Sequence, residues 1–191
     1  MCVCAALSQP RAFKVRQNIP TDSIRLSDPA ILADQKTKMY YLTGTGGMMW
    51  RSADLKLWEG PYRTFGDATY LPAHRPTLDG TFWRDTDGKP YMVFCGEWLQ
   101  NWNGTIEKIE LKPDLSGTIG EPKLLFRASD SPWSREKDDQ GNITWNKVTD
   151  GPWLFRTGTG RLGMLWTSWV YDVYTQGVAY SASGTQATSS L

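Results

Sequence analysis

Histidine and cysteine are scarce in this sequence, and neither sign of charge dominates it. The single histidine, His74, and the cysteines Cys2, Cys4 and Cys95 form none of the spacings that supply four metal ligands. We therefore expect free thiols, no metal and no other cofactor. The net charge of +1 provides no basic surface for a nucleic acid. No apolar run reaches the roughly 18 residues of a membrane span, so we expect no membrane partner either.

Aromatic side chains, by contrast, are abundant. The chain has 10 Trp and 8 Tyr among 191 residues, with 40% hydrophobic and only 21% charged residues. This composition can bury a substantial core and excludes disorder for most of the chain. Most of the rings are expected to fill packed interfaces. An exposed ring beside polar groups also suits stacking on the apolar face of a sugar, so the composition favours a carbohydrate partner.

A hairpin unit recurs three times along the chain, each time with an aspartate ahead of its first apolar strand. The first strands follow Asp28, Asp79 and Asp150, and the second strands are predicted at residues 39–42, 91–94 and 162–166. Irregular hairpin repeats of this kind are typical of β-propeller blades, in which the first strand of each blade lines a central axis. Such packing would place the aspartates at one end of that axis. A carboxylate cluster in a cleft is how a glycosidase is built.

The remaining patterns divide the chain into three parts. Residues 1–24 show no periodicity and are expected to form an irregular lead-in, residues 25–183 a partial propeller, and residues 184–191 a frayed tail. Residues 104–111 and 122–127 are predicted as the outer strands of the middle blade. The polar segment 129–146 is predicted to be a long loop between blades.

Several motifs in this order resemble glycoside hydrolase family 43 over about residues 25–183. They are Asp28-Pro29, Tyr40-Tyr41, Ser52-Ala53-Asp54-Leu55 with Trp58, Leu78-Asp79-Gly80-Thr81-Phe82, Asp85-Thr86-Asp87-Gly88-Lys89-Pro90-Tyr91, and Thr149-Asp150-Gly151-Pro152. The resemblance implies a five-bladed β-propeller, usually secreted or periplasmic, that hydrolyses α-L-arabinofuranosides or β-xylosides of plant arabinan and xylan with inversion. The segment Met1–Leu7 is too short for the apolar region of a signal peptide.

The resemblance also implies roles for the aspartates. Asp28 corresponds to the general base, Asp79 to the residue that orients and tunes the general acid, and Asp150 to the acid itself. The family more often has Glu-Gly-Pro at the acid position, and aspartate is one methylene shorter. Glu97 is the alternative acid or a ligand for a sugar hydroxyl, because the second strand of a hairpin returns to the end where the first began.

The same return of the second strand identifies candidate substrate-binding residues. Trp98 and Trp169 follow or end such strands, and we predict that they act as sugar platforms at the aspartate end. Arg75, just before Asp79, is a further candidate for substrate binding. These assignments apply equally to an enzyme and to a carbohydrate-binding protein without turnover, which is the alternative function.

The length of the chain argues against a complete propeller. A blade takes roughly 40–50 residues, so the chain has room for at most four, and three hairpins are recognisable. At Asp54–Tyr62 the end of a first blade is predicted to run into the end of a second, as after an internal deletion. We therefore predict an incomplete five-bladed propeller, marginal stability of the isolated chain, and hydrolysis that is very weak or absent, because small misplacements in a site are costly.

Overall fold

The computed structural model describes residues 14–63, 71, 77–96 and 98–182. The chain divides into two compact units, residues 1–68 and 69–191, which are treated separately below. Within the described ranges, almost all regular structure is antiparallel β-sheet, and no helix is long and apolar enough to cross a bilayer. The prediction of an all-β fold is confirmed.

The first unit is one antiparallel sheet. Its strands occur in the order β1-β5-β4-β3-β2. Trp58 is only 2% exposed and packs with Ile19, Leu42 and Trp50, and its Nε1 donates to Thr21 Oγ1 at 2.9 Å. Buried and exposed residues alternate along β4, and the buried side chains form a small core on one face of the sheet. The strands are β1 (Arg16–Pro20), β2 (Ala30–Asp34), β3 (Met39–Thr43), β4 (Met49–Ser52) and β5 (Leu57–Tyr62).

The edge strand β1 lies in a segment that the sequence predicted to be irregular. It pairs with β5, with Ile19 opposite Trp58, and only Ile19 is buried among its five residues. Strand β1 has no alternating pattern of its own. Its place in the sheet depends on its pairing with the edge of β5. The segment Leu57–Tyr62, where the sequence suggested a junction of two blade ends, is strand β5, which pairs with β1 on one side and β4 on the other.

The second unit contains two larger antiparallel sheets. The four-stranded sheet has the order β6-β7-β8-β9 and the three-stranded sheet the order β12-β13-β14. Strands β8 and β9 are the predicted outer strands of the middle blade. The elements are β6 (Thr77–Arg84), β7 (Pro90–Gly96), helix α1 (Trp98–Asn101), β8 (Thr105–Leu111), β9 (Thr118–Arg127), β10 (Glu136–Lys137), β11 (Ile143–Thr144), β12 (Asp150–Arg156), β13 (Leu162–Val170) and β14 (Val173–Tyr180).

The segment predicted as a loop, residues 129–146, carries the small hairpin β10–β11. Asp138 Oδ1 accepts hydrogen bonds from the backbone N–H groups of Gln140 and Asn142, which closes the turn. The segment is fixed to the last sheet by Ser134 Oγ, 2.7 Å from Ser168 Oγ, with both serines fully buried. The polar side chains of this segment therefore form hydrogen bonds within the protein as well as contacts with solvent.

The two sheets of the second unit share one apolar core. Val93 and Ile106 of the first sheet pack against Leu154, Met164 and Trp166 of the second, all 5% exposed or less. At the turn end of the sheets, Arg156 Nη2 pairs with the buried carboxylate of Asp85 at 2.9 Å. The first strands β6 and β12 contact each other directly, since Thr81 Oγ1 donates to the carbonyl of Pro152 at 2.5 Å. These contacts fix the two aspartate-bearing strands side by side.

Candidate active site

Asp79 and Asp150 occupy matching irregular positions at the start of the first strands of the two sheets. The register of β6 shifts between Leu78 and Thr81, and that of β12 between Asp150 and Trp153. Both interruptions contain a left-handed residue, Asp79 at φ 53° and Gly151 at φ 55°. A bulge of this kind re-aims a side chain away from the regular alternation of the strand. Aspartate and glycine are residue types that tolerate this backbone conformation.

The two bulges bring the carboxylates together over a buried thiol. The carboxylate oxygens of Asp79 and Asp150 and the sulfur of Cys95 all lie within 4.8 Å of one another. The backbone N–H of Gly151 donates to Asp79 Oδ2 at 2.9 Å, which joins one bulge to the other. The predicted meeting of aspartates from successive hairpins is therefore seen for these two residues.

Cys95 forms the floor of this carboxylate pair. It is fully buried, and it faces Leu78 across the β6–β7 pairing. Burial, reinforced by the charges of Asp79 and Asp150, raises the pKa of its thiol well above the usual range. The described residues therefore offer two carboxylates above an uncharged sulfur.

Tyr174 is a contact of Asp150 that the sequence did not suggest. Its hydroxyl donates to Asp150 Oδ2 at 2.7 Å, and its oxygen lies 3.2 Å from Thr167 Oγ1. Burial, followed by the hydrogen bond and charge of Asp150, raises the pKa of Tyr174 to about 12. The contact follows from the register of the strands. Asp150 pairs with Thr167, and two residues further along β13 Trp169 pairs with Tyr174. The four side chains therefore share one face of the sheet.

Asp28 belongs to the first unit and occupies the corresponding place in its sheet. It lies just before β2, in the left-handed conformation at φ 51°, and its Oδ2 accepts a hydrogen bond from Thr45 Oγ1 at 2.7 Å. Gly44 allows this turn, because a Cβ there would lie 2.4 Å from the carbonyl oxygen of Ser27. That Asp28 shares a cleft with Asp79 and Asp150 stays a prediction.

The predicted sugar platforms lie at the aspartate end of their sheets. Trp98 begins helix α1, directly after β7, and is half-buried. Trp169 lies near the end of β13 and packs against Tyr174, with ring centroids 5.0 Å apart. Their role in binding sugar stays a prediction. Glu97 and Arg75 lie outside the described residues.

The spacing of the carboxylates limits the chemistry that the pair can perform. An inverting glycosidase needs its acid and base about 6.5–9.5 Å apart, to leave room for a water molecule. One oxygen of Asp79 lies within 4.8 Å of one oxygen of Asp150, closer than that separation. A pair this close suits an acid and the residue that tunes it, with a third carboxylate as base, or the nucleophile and the acid–base of a retaining enzyme.

Comparisons with solved structures support the fold and the kind of protein. An endo-arabinase from Bacteroides thetaiotaomicron is 30% identical, with a TM-score of 0.63, over 90% of this chain and 81% of that chain. A thermostable family-43 glycoside hydrolase is 16% identical, with a TM-score of 0.53, over 88% of this chain and 69% of its own.

An endo-1,4-beta-xylanase from Bacteroides thetaiotaomicron is 19% identical, with a TM-score of 0.53, over 83% of this chain and 50% of its own. The two more distant likenesses show the fold alone, that of a β-propeller. No family model matches the sequence, and no curated protein matches it.

Proposed function

Because the chain belongs to glycoside hydrolase family 43, we propose that it hydrolyses O-glycosidic bonds of the α-L-arabinofuranoside or β-xyloside type in plant polysaccharides. The 30% identity with an endo-arabinase over 81% of that chain supports this family, and the names of the similar structures support arabinan or xylan as the substrate. Secretion or export to the periplasm, where such polysaccharides are encountered, is part of the same proposal.

One observation carries the proposal. Asp79 and Asp150, from matching positions of two hairpins, meet within 4.8 Å, and each is held by a specific donor. The Gly151 N–H donates to Asp79 and the Tyr174 hydroxyl to Asp150. Two carboxylates this close repel each other when both are ionised, and paired carboxylates with different tasks are the basis of glycoside hydrolysis.

The proposed mechanism gives each aspartate one task. Asp28 accepts a proton from water as the water oxygen bonds to the anomeric carbon. Asp150 donates a proton to the glycosidic oxygen as the bond between that oxygen and the anomeric carbon breaks. Asp79 favours the protonated form of Asp150 through like-charge repulsion. The products are a sugar of inverted configuration and a free hydroxyl on the leaving group.

Turnover is expected to be slow. Aspartate reaches one methylene less far than the glutamate that is more usual at the acid position, and general acid catalysis depends on hydrogen-bond reach to the leaving oxygen. Trp98 and Trp169 are proposed to hold sugar rings beside the acid, and each is expected to contribute about 1–2 kcal/mol to binding.

The test is hydrolysis of aryl α-L-arabinofuranoside and aryl β-xyloside by the wild type and by Asp28→Asn, Asp79→Asn and Asp150→Asn. Slow release of the aryl group by the wild type, reduced at least about 100-fold in each variant, is the expected result. Asp87→Asn is the matched control, since Asp87 is an exposed turn acid at the opposite end of the same sheet as Asp79. Binding of oligosaccharide without any turnover would replace this proposal with the alternative, a carbohydrate-binding protein.

A further inference from the structure

The connection between β7 and β8 carries an exposed tryptophan at the aspartate end of the second unit. Trp102 is 72% exposed, the most exposed of the large hydrophobic side chains in the described ranges. Its connection reaches the strand that leads to Asp150, because the Gly104 N–H donates to the Lys147 carbonyl at 2.7 Å. Lys147 lies three residues before Asp150, so their Cα atoms are at most about 11 Å apart.

The backbone around Trp102 is held firmly. Its N–H donates to the carbonyl of Trp98 at 2.8 Å. The next residue, Asn103, donates through Nδ2 to Ser129 Oγ at 2.9 Å and accepts through Oδ1 from the Ser129 N–H at 3.2 Å. Trp102 itself is in the left-handed region, at φ 56°, which is costly for a bulky side chain. The chain thus fixes a large indole in solvent at a cost to its own stability.

Lys147 completes the arrangement. Its Nζ lies 5.0 Å from the ring centroid of Trp102 and 6.0 Å from that of Trp98. The ammonium is therefore positioned against both indoles, within the range of a cation–π contact. Two aromatic rings and a hydrogen-bond donor stand together next to the strand that enters the candidate site.

We infer that Trp102 and Lys147 form an additional sugar subsite next to the platform Trp98, and that this subsite binds a residue of the polysaccharide beyond the glycosidic bond to be cleaved. The exposed indole of Trp102 stacks on the apolar C–H face of the sugar, and the Lys147 ammonium donates to its hydroxyl or ring oxygens. This inference rests on the proposed function, because it takes the ligand to be the substrate chain. It makes Trp102 a residue that selects long substrates over short ones.

The experiment is calorimetric titration of an Asp150→Asn protein, in which hydrolysis is blocked, with arabinan and xylan oligosaccharides and with the matching monosaccharides. We expect Trp102→Ala to weaken oligosaccharide binding about 5- to 30-fold, which corresponds to one or two kcal/mol. The affinity for a monosaccharide is expected to change much less. Trp102→Phe, which keeps an aromatic face, and Lys147→Met, which keeps the apolar stem, are expected to give intermediate losses.

Tyr180→Ala is the matched control. Tyr180 is also an exposed ring beneath a cation, 4.5 Å from Arg161 Cζ, but it lies at the turn end of its sheet. Equal oligosaccharide affinity in Trp102→Ala and its parent would overturn the inference. If the parent itself binds no oligosaccharide, the proposed function fails as well, so the two failures are distinguishable. Circular dichroism checks that each variant is folded.

Discussion

The hydroxyl of Tyr174 ties the last strand of the second unit to Asp150, and Tyr174→Phe removes only that oxygen. The phenol donates to Asp150 Oδ2 across 2.7 Å. Burial, with the hydrogen bond and charge of Asp150, raises the pKa of Tyr174 from 10.0 to about 12. The folded chain therefore holds the phenolic proton more tightly than the unfolded chain, and this difference is a contribution to stability.

The sign and size of that contribution follow from the two pKa values. Below about pH 10 both states are protonated and the contribution is complete; between about pH 10 and 12 the unfolded chain loses its proton first, and the contribution declines. A shift of two units corresponds to about 2.7 kcal/mol. Tyr174 is 50% exposed, so solvent screening reduces this figure, and we expect about 1 kcal/mol.

The assay is urea unfolding of the wild type and Tyr174→Phe between about pH 8 and 12, so that groups common to both proteins cancel. The wild type is expected to be the more stable at the lower pH, and its advantage to shrink as the pH rises. Tyr180→Phe, from the other end of the same strand, serves as the control. An advantage that is independent of pH, or that grows with it, would refute the role assigned to the Tyr174 hydroxyl.

Three further predictions concern packing and the buried groups of the second unit. Gly177→Ala is expected to lower the free energy of unfolding by about 1–3 kcal/mol, since the new Cβ would lie 2.1 Å from Trp133 Cζ2, and an unchanged urea midpoint would contradict this. Arg156→Met leaves the buried carboxylate of Asp85 without its 2.9 Å partner, and about 1–3 kcal/mol of lost stability is expected at neutral pH. Cys95 is buried with a raised pKa, so its alkylation by iodoacetamide, followed by peptide mass spectrometry, should be much slower in the native than in the urea-unfolded protein.

The hairpin repeat could be predicted from the sequence because local signals agree there. Turn residues follow each first strand, and the apolar run Tyr91–Phe94 lies inside the strand Pro90–Gly96. Likewise Leu162–Trp166 lies inside the strand Leu162–Val170. Alternation and turn chemistry act over a few residues, so they are visible without any long-range contact.

Features that depend on contacts between distant segments could not be predicted in the same way. Strand β1 has no pattern of its own and exists through its pairing with β5. The contact of Tyr174 with Asp150 spans 24 residues and depends on the register of β13 with β14. The position of Cys95 beneath the aspartates depends on the bulges, which reset the alternation of β6 and β12. The sequence correctly predicted that Cys95 is a free thiol, but it did not predict that Cys95 lies next to Asp79 and Asp150.

Proton NMR of an aryl α-L-arabinofuranoside during hydrolysis, recorded before mutarotation, gives the anomeric configuration of the first sugar released and so tests the roles proposed for the three aspartates. Asp79 and Asp150, with one oxygen of each within 4.8 Å, belong to the acid side of the proposed reaction, and Asp28 is its separate base. A product of inverted configuration is therefore expected. A product of retained configuration would contradict it, because Asp79 and Asp150 would then perform both steps as nucleophile and acid–base.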